Sequence, residues 1–209
     1  MAVRLVDIGP EYVVAHGTRS VPQSGVTSVT HDPQAGWTRR KRGLYAAFGG
    51  VITLAVVGVI AHLAHVTFLF GSLGPTAFIV FYAVASRQAA PRNVVCGQFI
   101  GVVAGIVAVA ALGLRDVPVD LADISLRRVL ASLIAVALTF IVMTWLGVEH
   151  APAAATTLIV ALGLVKSFTD FAAVVAAIVC TTILAFIINR AFRLPYPVWT
   201  PRTAEVPSL

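Results

Sequence analysis

Charged residues are scarce in this sequence: Asp, Glu, Lys and Arg together make up 11% of its 209 residues. Hydrophobic residues make up 58%, and the mean hydropathy is +0.92, values that soluble globular domains do not reach. The two cysteines, Cys96 and Cys180, lie in apolar segments, which indicates buried free thiols and no disulfide framework. Because the sequence has no G-x-S-x-G motif and no Asp deep inside a long apolar run, we expect no enzyme activity.

Long apolar runs take the place of the missing charges. Residues 44–66, 93–114, 129–148 and 171–188 form four runs that approach or exceed the roughly 20 residues that a helix needs to cross a bilayer. Two shorter runs, 75–86 and 152–165, each begin at a proline. The sequence predicts an all-α polytopic transmembrane helix bundle of six helices, four long spans and two short proline-initiated helices. If the short segments are re-entrant, the chain has four spans instead of six.

The distribution of basic residues indicates the orientation. The net charge is +6, but the bases lie at the ends of apolar runs and not in a stripe with interleaved aromatics, which excludes nucleic-acid binding. A basic cluster at residues 39–42 precedes the first span, and Arg190 and Arg193 follow the last. The positive-inside rule therefore predicts a multi-pass protein of the cell membrane with both termini in the cytoplasm.

Three regions are predicted along the chain. Residues 1–38 have no continuous apolar run and are expected to form a disordered cytoplasmic tail, with at most a short strand near 11–15. Residues 39–193 form the transmembrane domain. Residues 194–209 contain closely spaced prolines with Tyr and Trp, which favours a C-terminal tail along the membrane surface.

The two halves of the transmembrane domain have the same order of elements: a long helix, a short proline-interrupted helix and a long helix. A shift of 77 residues superposes Pro75 on Pro152 and Asn93 on Asp170. We therefore predict a degenerate internal repeat of three helices.

Each of the two breaks contains glycine followed by proline: Gly71, Gly74 and Pro75 in the first, Gly147 and Pro152 in the second. Gly/Pro-interrupted short segments at corresponding positions of two halves are typical of a transporter binding site, because the helix starts offer free backbone amides that favour anions. In the first helical position a proline loses no hydrogen bond. The alternative is that the prolines only kink membrane helices and the nearby threonines bond to their own helices.

These breaks resemble the HPP family of small integral membrane proteins, named for a His-Pro-Pro motif and usually described as having four spans. The family pattern has a Phe-Gly turn after the first span, a Pro-Arg-Asn helix start and a His-Pro-Pro-Ala-like turn. It is matched here by Phe70-Gly71-Ser72, Pro91-Arg92-Asn93 and His150-Ala151-Pro152-Ala153. Ala151 departs from the pattern, which has a proline there. Plant plastid and cyanobacterial members are implicated in nitrite transport, so the resemblance implies a transporter and nitrite as one candidate substrate.

Two side chains carry the candidate chemistry. Arg92 lies between two apolar segments, and its planar fork of donors suits a small oxyanion; an interfacial anchor is the alternative. His150 could carry a proton that moves with the anion, because imidazole titrates near neutrality; a capping or packing role is the alternative. We expect the neighbouring Glu149 to partner His150, since a free carboxylate would repel the anion.

The predicted site combines these residues with the hydroxyls of both breaks. Its substrate-binding residues are Ser72, Thr76, Arg92, His150, Thr156 and Thr157. The surrounding structural motif consists of Gly71, Gly74, Pro75, Pro91, Asn93, Glu149 and Pro152.

The sequence leaves two other classes of function open. His62 and His65 lie three residues apart near the end of the first span and could bind a metal together with His150, although histidines at a span end are more often interfacial; we expect no metal and no cofactor. A structural or interaction protein is the other alternative. The partners expected are the lipid bilayer and a small inorganic anion, and a homo-oligomer remains open because small bundles with a shared path often assemble.

Overall fold

The computed structural model describes residues 32–66, 70–120 and 122–201. Within these residues the chain is helical and has no strand. The helices are α1 (Arg39–Ala64), α2 (Leu73–Tyr82), α3 (Pro91–Ala111), α4 (Leu126–Trp145), α5 (Ala153–Ala161) and α6 (Phe168–Ala191), with a 3₁₀ turn at Arg87–Ala89. The all-α prediction and the division into four long and two short helices are confirmed.

The four long helices α1, α3, α4 and α6 are long and apolar enough to cross a membrane. Each begins two to five residues before the apolar run that predicted it, because polar residues cap the helix starts. Thr38, Ser125 and Ser167 accept hydrogen bonds from backbone amides of α1, α4 and α6. Pro91 opens α3 at the first helical position. A proline is tolerated there because its missing N–H would have no partner in any case.

The prolines of the short helices lie elsewhere than predicted. Pro75 is the third residue of α2, and Pro152 is the N-cap of α5. Both positions belong to the first turn, where backbone amides have no intrahelical acceptor, so proline costs no hydrogen bond at either of them.

The six helices alternate in direction. α2 runs antiparallel to α1, since Leu73 clusters with Val57 at one end of the pair while Phe81 lies beside Gly49 at the other. α1 and α6 are also antiparallel, and Tyr45 donates to Asn189 Oδ1 across them at 2.8 Å. The start of α1 and the end of α6 therefore lie at the same end of the bundle, here called the terminal end, and the opposite end is called the distal end.

The helices form two groups of three. α1, α2 and α6 contact one another, and so do α3, α4 and α5; between the groups α3 packs against α6. The predicted repeat would make α1, α2 and α3 equivalent to α4, α5 and α6. This correspondence exchanges the two groups, so the packing is compatible with the repeat. The internal repeat itself stays a prediction.

A glycine stripe joins α3 to α5. A Cβ added to Gly97, Gly101 or Gly105 would lie 2.6 to 2.9 Å from an atom of the segment that contains His150 and α5. These glycines recur every four residues on one face of α3 and let the two backbones come close together, as small residues do in membrane helix pairs. The α3–α5 contact therefore depends on the absence of side chains.

The described parts of both tails pack on the terminal end of the bundle. Gln34 is fully buried and donates to the Phe81 carbonyl, and Asp32 forms an ion pair with Arg42 at 2.6 Å. After α6, Tyr196 is also fully buried and donates to the Ala89 carbonyl. Residues 32–38 of the predicted tail thus pack on the bundle, while the strand predicted near 11–15 lies outside the described residues.

Candidate functional site

The two short helices begin next to each other inside the bundle. Thr76 in the first turn of α2 lies 3.1 Å, Oγ1 to Nε2, from the imidazole of His150, just before α5. His150 packs against Gly97, six residues into α3 and therefore about 9 Å from its terminal end. Because α2 starts on the distal side and α5 on the terminal side, their N-termini approach from opposite directions.

Gln98 and Thr156 complete a buried group of four polar side chains, here called the central cluster: Thr76, Gln98, His150 and Thr156. Gln98 Nε2 donates to Thr76 Oγ1 at 3.0 Å, and Gln98 Oε1 accepts from the Thr156 hydroxyl. Each of the four is at most 2% exposed. The cluster therefore links α2, α3 and α5 through hydrogen bonds inside an apolar bundle.

The hydrogen bonds assign the protons of His150. Its Nδ1 lies 3.0 Å from the Gln88 carbonyl oxygen, which can only accept, so Nδ1 carries a proton. In the neutral imidazole Nε2 is then an acceptor, and the Thr76 hydroxyl can donate to it. In the imidazolium form Nε2 donates to Thr76 instead, and Thr76 donates to the Ser72 carbonyl at 2.8 Å. Both protonation states of His150 can therefore be satisfied by turning one hydroxyl.

Burial favours the neutral state. His150 lies on the turn between α4 and α5, outside the four long spans, and its burial lowers the pKa of the imidazole from 6.5 to about 4. The hydrogen bond to the Gln88 carbonyl opposes this effect but is the smaller of the two. An anion placed beside the ring would raise the pKa again, because an opposite charge stabilises the imidazolium.

The turn before α5 is held by a second contact to Gln88. The Ala151 amide donates to Gln88 Oε1 at 3.1 Å. A proline at this position has no amide hydrogen to donate. The residue by which the chain departs from the His-Pro-Pro pattern thus adds a bond that fastens the His150 turn to the 3₁₀ turn before α3.

Glu149 does not partner His150 as expected. Its carboxylate lies 3.1 Å from Arg87 Nε, and both side chains are half exposed. The imidazole of the next residue points into the bundle, where its partners are Thr76, Gln98 and Gln88. Adjacent side chains in a non-helical turn diverge, so the acid stays at the terminal end and no carboxylate of the described residues contacts His150.

Arg92 lies apart from the central cluster. Its guanidinium donates to the carbonyls of Leu146 at 3.0 Å and Gly147 at 3.4 Å, just after α4. These carbonyls have no intrahelical partner, and a cation near them also interacts favourably with the helix dipole. The geometry makes Arg92 a cap of α4, and its role as an anion ligand stays a prediction.

We expect Arg92→Lys to insert normally and to transport poorly, because an ammonium group lacks the planar fork of donors that would bind two oxygen atoms of an anion. Uptake by proteoliposomes and thermal unfolding in detergent measure the two effects. A purely capping role predicts lower thermal stability with unchanged uptake per folded protein, and that result would exclude Arg92 from the transport path.

The other predicted residues divide between the cluster and its surroundings. Ser72 is buried and supplies the carbonyl that accepts from Thr76. Thr157 instead lies 2.8 Å from Thr139 of α4, so it joins α5 to α4. Asn93 donates to the Arg87 carbonyl at 2.8 Å and fastens the start of α3. Gly147 takes a φ of +59°, which explains glycine at this turn.

Gln98 is not among the predicted residues, although it lies in the middle of the apolar α3. An isolated amide in a membrane span is costly unless it is bonded, so its position was itself a signal. Thr53 of α1 and Thr181 of α6 were missed as well. Both are fully buried, and their hydroxyls have no hydrogen-bond partner among the described residues. Counting eight residues from the Tyr45–Asn189 contact along the two antiparallel helices puts them at the same level.

The metal alternative gains no support from the geometry. His62 and His65 are exposed at the distal end of α1, whereas His150 is buried in the central cluster. Among the described residues no group of three or more His, Cys, Asp or Glu side chains could hold a metal ion.

Comparison with known proteins agrees with the membrane architecture. The family model described as "HPP, transmembrane region" matches residues 37–197. A transmembrane protein of Dictyostelium discoideum is 27% identical over 172 residues, which cover 79% of this chain and 55% of that protein. The chain thus spans about half the length of this curated relative. No solved structure gives a significant match.

Proposed function

Because the chain belongs to the HPP transmembrane family, we propose that this multi-pass membrane protein transports a small anion through the region between the starts of α2 and α5. Nitrite is the first candidate substrate, since the family resemblance implies it.

One observation carries the proposal: two short helices enter the bundle from opposite sides, and their first turns meet at buried polar side chains. The N-terminus of a helix bears a partial positive charge, and in this structure the first amides of α5 bond to the carbonyls of His150, Ala151 and Pro152. Two such ends converging on one point favour an anion there. The nearby side chains are hydroxyls, an amide and an imidazole, and within the described part of the chain no carboxylate contacts the imidazole.

The hydrogen-bond partners of His150, which suit both of its protonation states, support coupled transport of a proton and an anion. The imidazolium would bring a full positive charge to the cluster, and the Thr76 hydroxyl can turn toward Ser72 to accommodate it. An anion and a proton bound together are neutral as a pair, which lowers the cost of carrying either through an apolar bundle. The same arrangement opposes binding of the anion alone.

The structure is a closed state in this proposal. All four side chains of the central cluster are at most 2% exposed, so an anion can reach them only when the helices move. Thr76 belongs to the group of α1, α2 and α6, whereas Gln98, His150 and Thr156 belong with α3 and α5. A rotation of one group against the other would open the cluster.

The basic residues favour a cytoplasmic terminal end in the cell membrane. Lys and Arg near the described helix ends are more numerous there than at the distal end. The terminal end has Arg39, Arg40, Lys41, Arg42, Arg87, Arg92, Arg190 and Arg193, and the distal end has Arg115, Arg127, Arg128 and Lys166.

Counterflow in proteoliposomes tests the proposal. Vesicles loaded with unlabelled nitrite should accumulate labelled nitrite. Nitrate, formate and bicarbonate added outside should reduce this accumulation to the extent that each of them binds at the same site. We expect Gln98→Leu, which removes the amide and keeps the apolar volume, to reduce counterflow about tenfold or more, since a buried donor and acceptor pair is lost. If none of these anions moves in the wild type, the structural or interaction alternative replaces the transporter.

A further inference from the structure

A cavity of about 360 Å³ lies at the distal end of the bundle, far from the central cluster. It is bounded by the end of α3, the start of α4, the end of α5 and the start of α6. Its charged lining residues are Arg115, Asp116, Arg128 and Lys166, three cations and one acid. Arg115 and Lys166 are exposed at its edge, while Arg128 is only 5% exposed.

Arg128 is buried without a carboxylate partner among the described residues, whose ion pairs are Arg42–Asp32 and Arg87–Glu149. Its guanidinium donates to the Val117 carbonyl at 3.1 Å. A neutral carbonyl does not balance a buried charge, and buried charges in proteins are generally paired. A charged partner is therefore missing from the described residues.

The position of Arg128 on α4 adds to this imbalance. It is the third residue of the helix, and the first turn contains no acid. The partial positive charge of a helix N-terminus disfavours a cation there. Arg128 thus carries two electrostatic costs, burial and an unfavourable dipole, and an anion in the cavity would relieve both.

The guanidinium of Arg128 packs directly against a glycine at the cavity wall. A Cβ added to Gly163 would lie 2.7 Å from Arg128 Nη1, and Gly163 has a φ of +82°. Any other residue there would be strained and would crowd the guanidinium. The absence of a side chain at residue 163 therefore lets the buried guanidinium lie in the cavity wall, with two further cations at the cavity edge.

We propose that this distal cavity binds a small oxyanion, held by Arg128 and attracted by Arg115 and Lys166. The fork of a guanidinium matches two oxygen atoms of one ligand. A dissolved inorganic anion and the phosphate of an anionic lipid headgroup both offer this chemistry. The inference rests on the geometry of the cavity and not on the proposed transport.

Thermal unfolding of the full-length protein in neutral detergent tests it, with sulfate replacing chloride at constant ionic strength and pH. A ligand that binds the folded state raises the Tm as its concentration rises. We expect sulfate to stabilise the wild type and Arg128→Gln to bind it about tenfold more weakly, since a charge-assisted pair is lost. Asp116→Asn should strengthen binding.

The chain offers a matched control in the neighbouring arginine. Arg127 precedes Arg128 on α4 but donates to the Leu112 carbonyl and does not line the cavity, so Arg127→Gln should keep the sulfate effect. If Arg128→Gln does not fold, the double substitution of the exposed Arg115 and Lys166 by Gln should still weaken sulfate binding. An equal sulfate effect in wild type and in these cavity variants would overturn the proposal.

A second measurement separates the two sources of the anion. Native mass spectrometry of protein extracted from vesicles containing phosphatidylglycerol should show a bound lipid in wild type and Arg127→Gln that Arg128→Gln lacks, if the occupant is a headgroup. Sulfate stabilisation without lipid retention supports a dissolved anion. Neither effect, in a protein that still performs counterflow, would refute the distal site alone.

Discussion

Replacement of His150 by Gln is expected to abolish the pH dependence of anion uptake. Gln keeps polar contacts toward Thr76 and Gln88 but cannot take up a proton, whereas His150 can, because the Thr76 hydroxyl can turn to accept a hydrogen bond from protonated Nε2. We expect wild-type uptake to rise as the pH falls, because a bound anion raises the pKa of the imidazole and its protonation then accompanies the anion. Uptake of labelled nitrite from about pH 5.5 to about pH 8 brackets the ordinary imidazole value.

Glu149→Gln is the matched control, because it removes the adjacent titratable group that pairs with Arg87 at the terminal end. Its pH profile should follow the wild type. A wild-type pH profile in His150→Gln would exclude His150 as the proton carrier. Identical flat profiles in all three proteins would show that no proton accompanies the anion.

The thermal stability of the same variants shows whether they are folded. Its pH dependence tests the protonation of His150 independently of transport. Burial lowers the pKa of His150 from 6.5 to about 4, so between these values the unfolded chain binds a proton that the folded protein does not. The folded state therefore loses stability as the pH falls from about 6.5 toward 4. In His150→Gln this part of the loss should disappear, as measured by thermal unfolding across that range.

The second large effect is expected at the glycine stripe of α3. A Cβ on Gly101 would lie 2.6 Å from the Ala153 carbonyl oxygen and 2.8 Å from Thr157 Oγ1. The first of these atoms is backbone and cannot turn aside, so α5 must shift. Gly101→Ala should cost about 1–3 kcal/mol, the usual range for overpacking, and Gly101→Val should yield little folded protein in detergent.

Gly43→Ala is the control for this series. Gly43 lies in α1, where an added Cβ meets no atom within 4 Å. Alanine favours helix over glycine by up to about 1 kcal/mol, so this variant should unfold at the same or a higher temperature. If Gly101→Ala is as stable as Gly43→Ala, the close approach of α3 and α5 does not hold the bundle together.

The sequence predicted the helices well because hydropathy over about 20 residues is a strong local signal. Thr76, His150 and Thr156 were predicted as one site because glycine and proline mark both breaks. Arg92 was predicted as a ligand from its residue type, yet its partners lie on a turn more than fifty positions away. No pattern along the chain contains that pairing.

Gln98 was not predicted, because its role depends on helices that are distant in the sequence. Its partners Thr76 and Thr156 belong to different short helices, so the role of the amide appears only when α2, α3 and α5 are packed together. The pairing of Glu149 with Arg87 was missed for the same reason, since a nearest-neighbour argument in sequence does not fix where two adjacent side chains point in a turn.

The path of the chain between the two helix groups limits how they can move. It passes from the first group to the second through residues 83–90 at the terminal end and returns through residues 162–167 at the distal end. Two bodies tied at opposite ends resist separation and sliding along the bundle axis, while rotation about the line through both ties remains free. A disulfide placed between the groups midway along this line would leave that rotation intact, whereas one placed far to the side of it would arrest the protein in a single state.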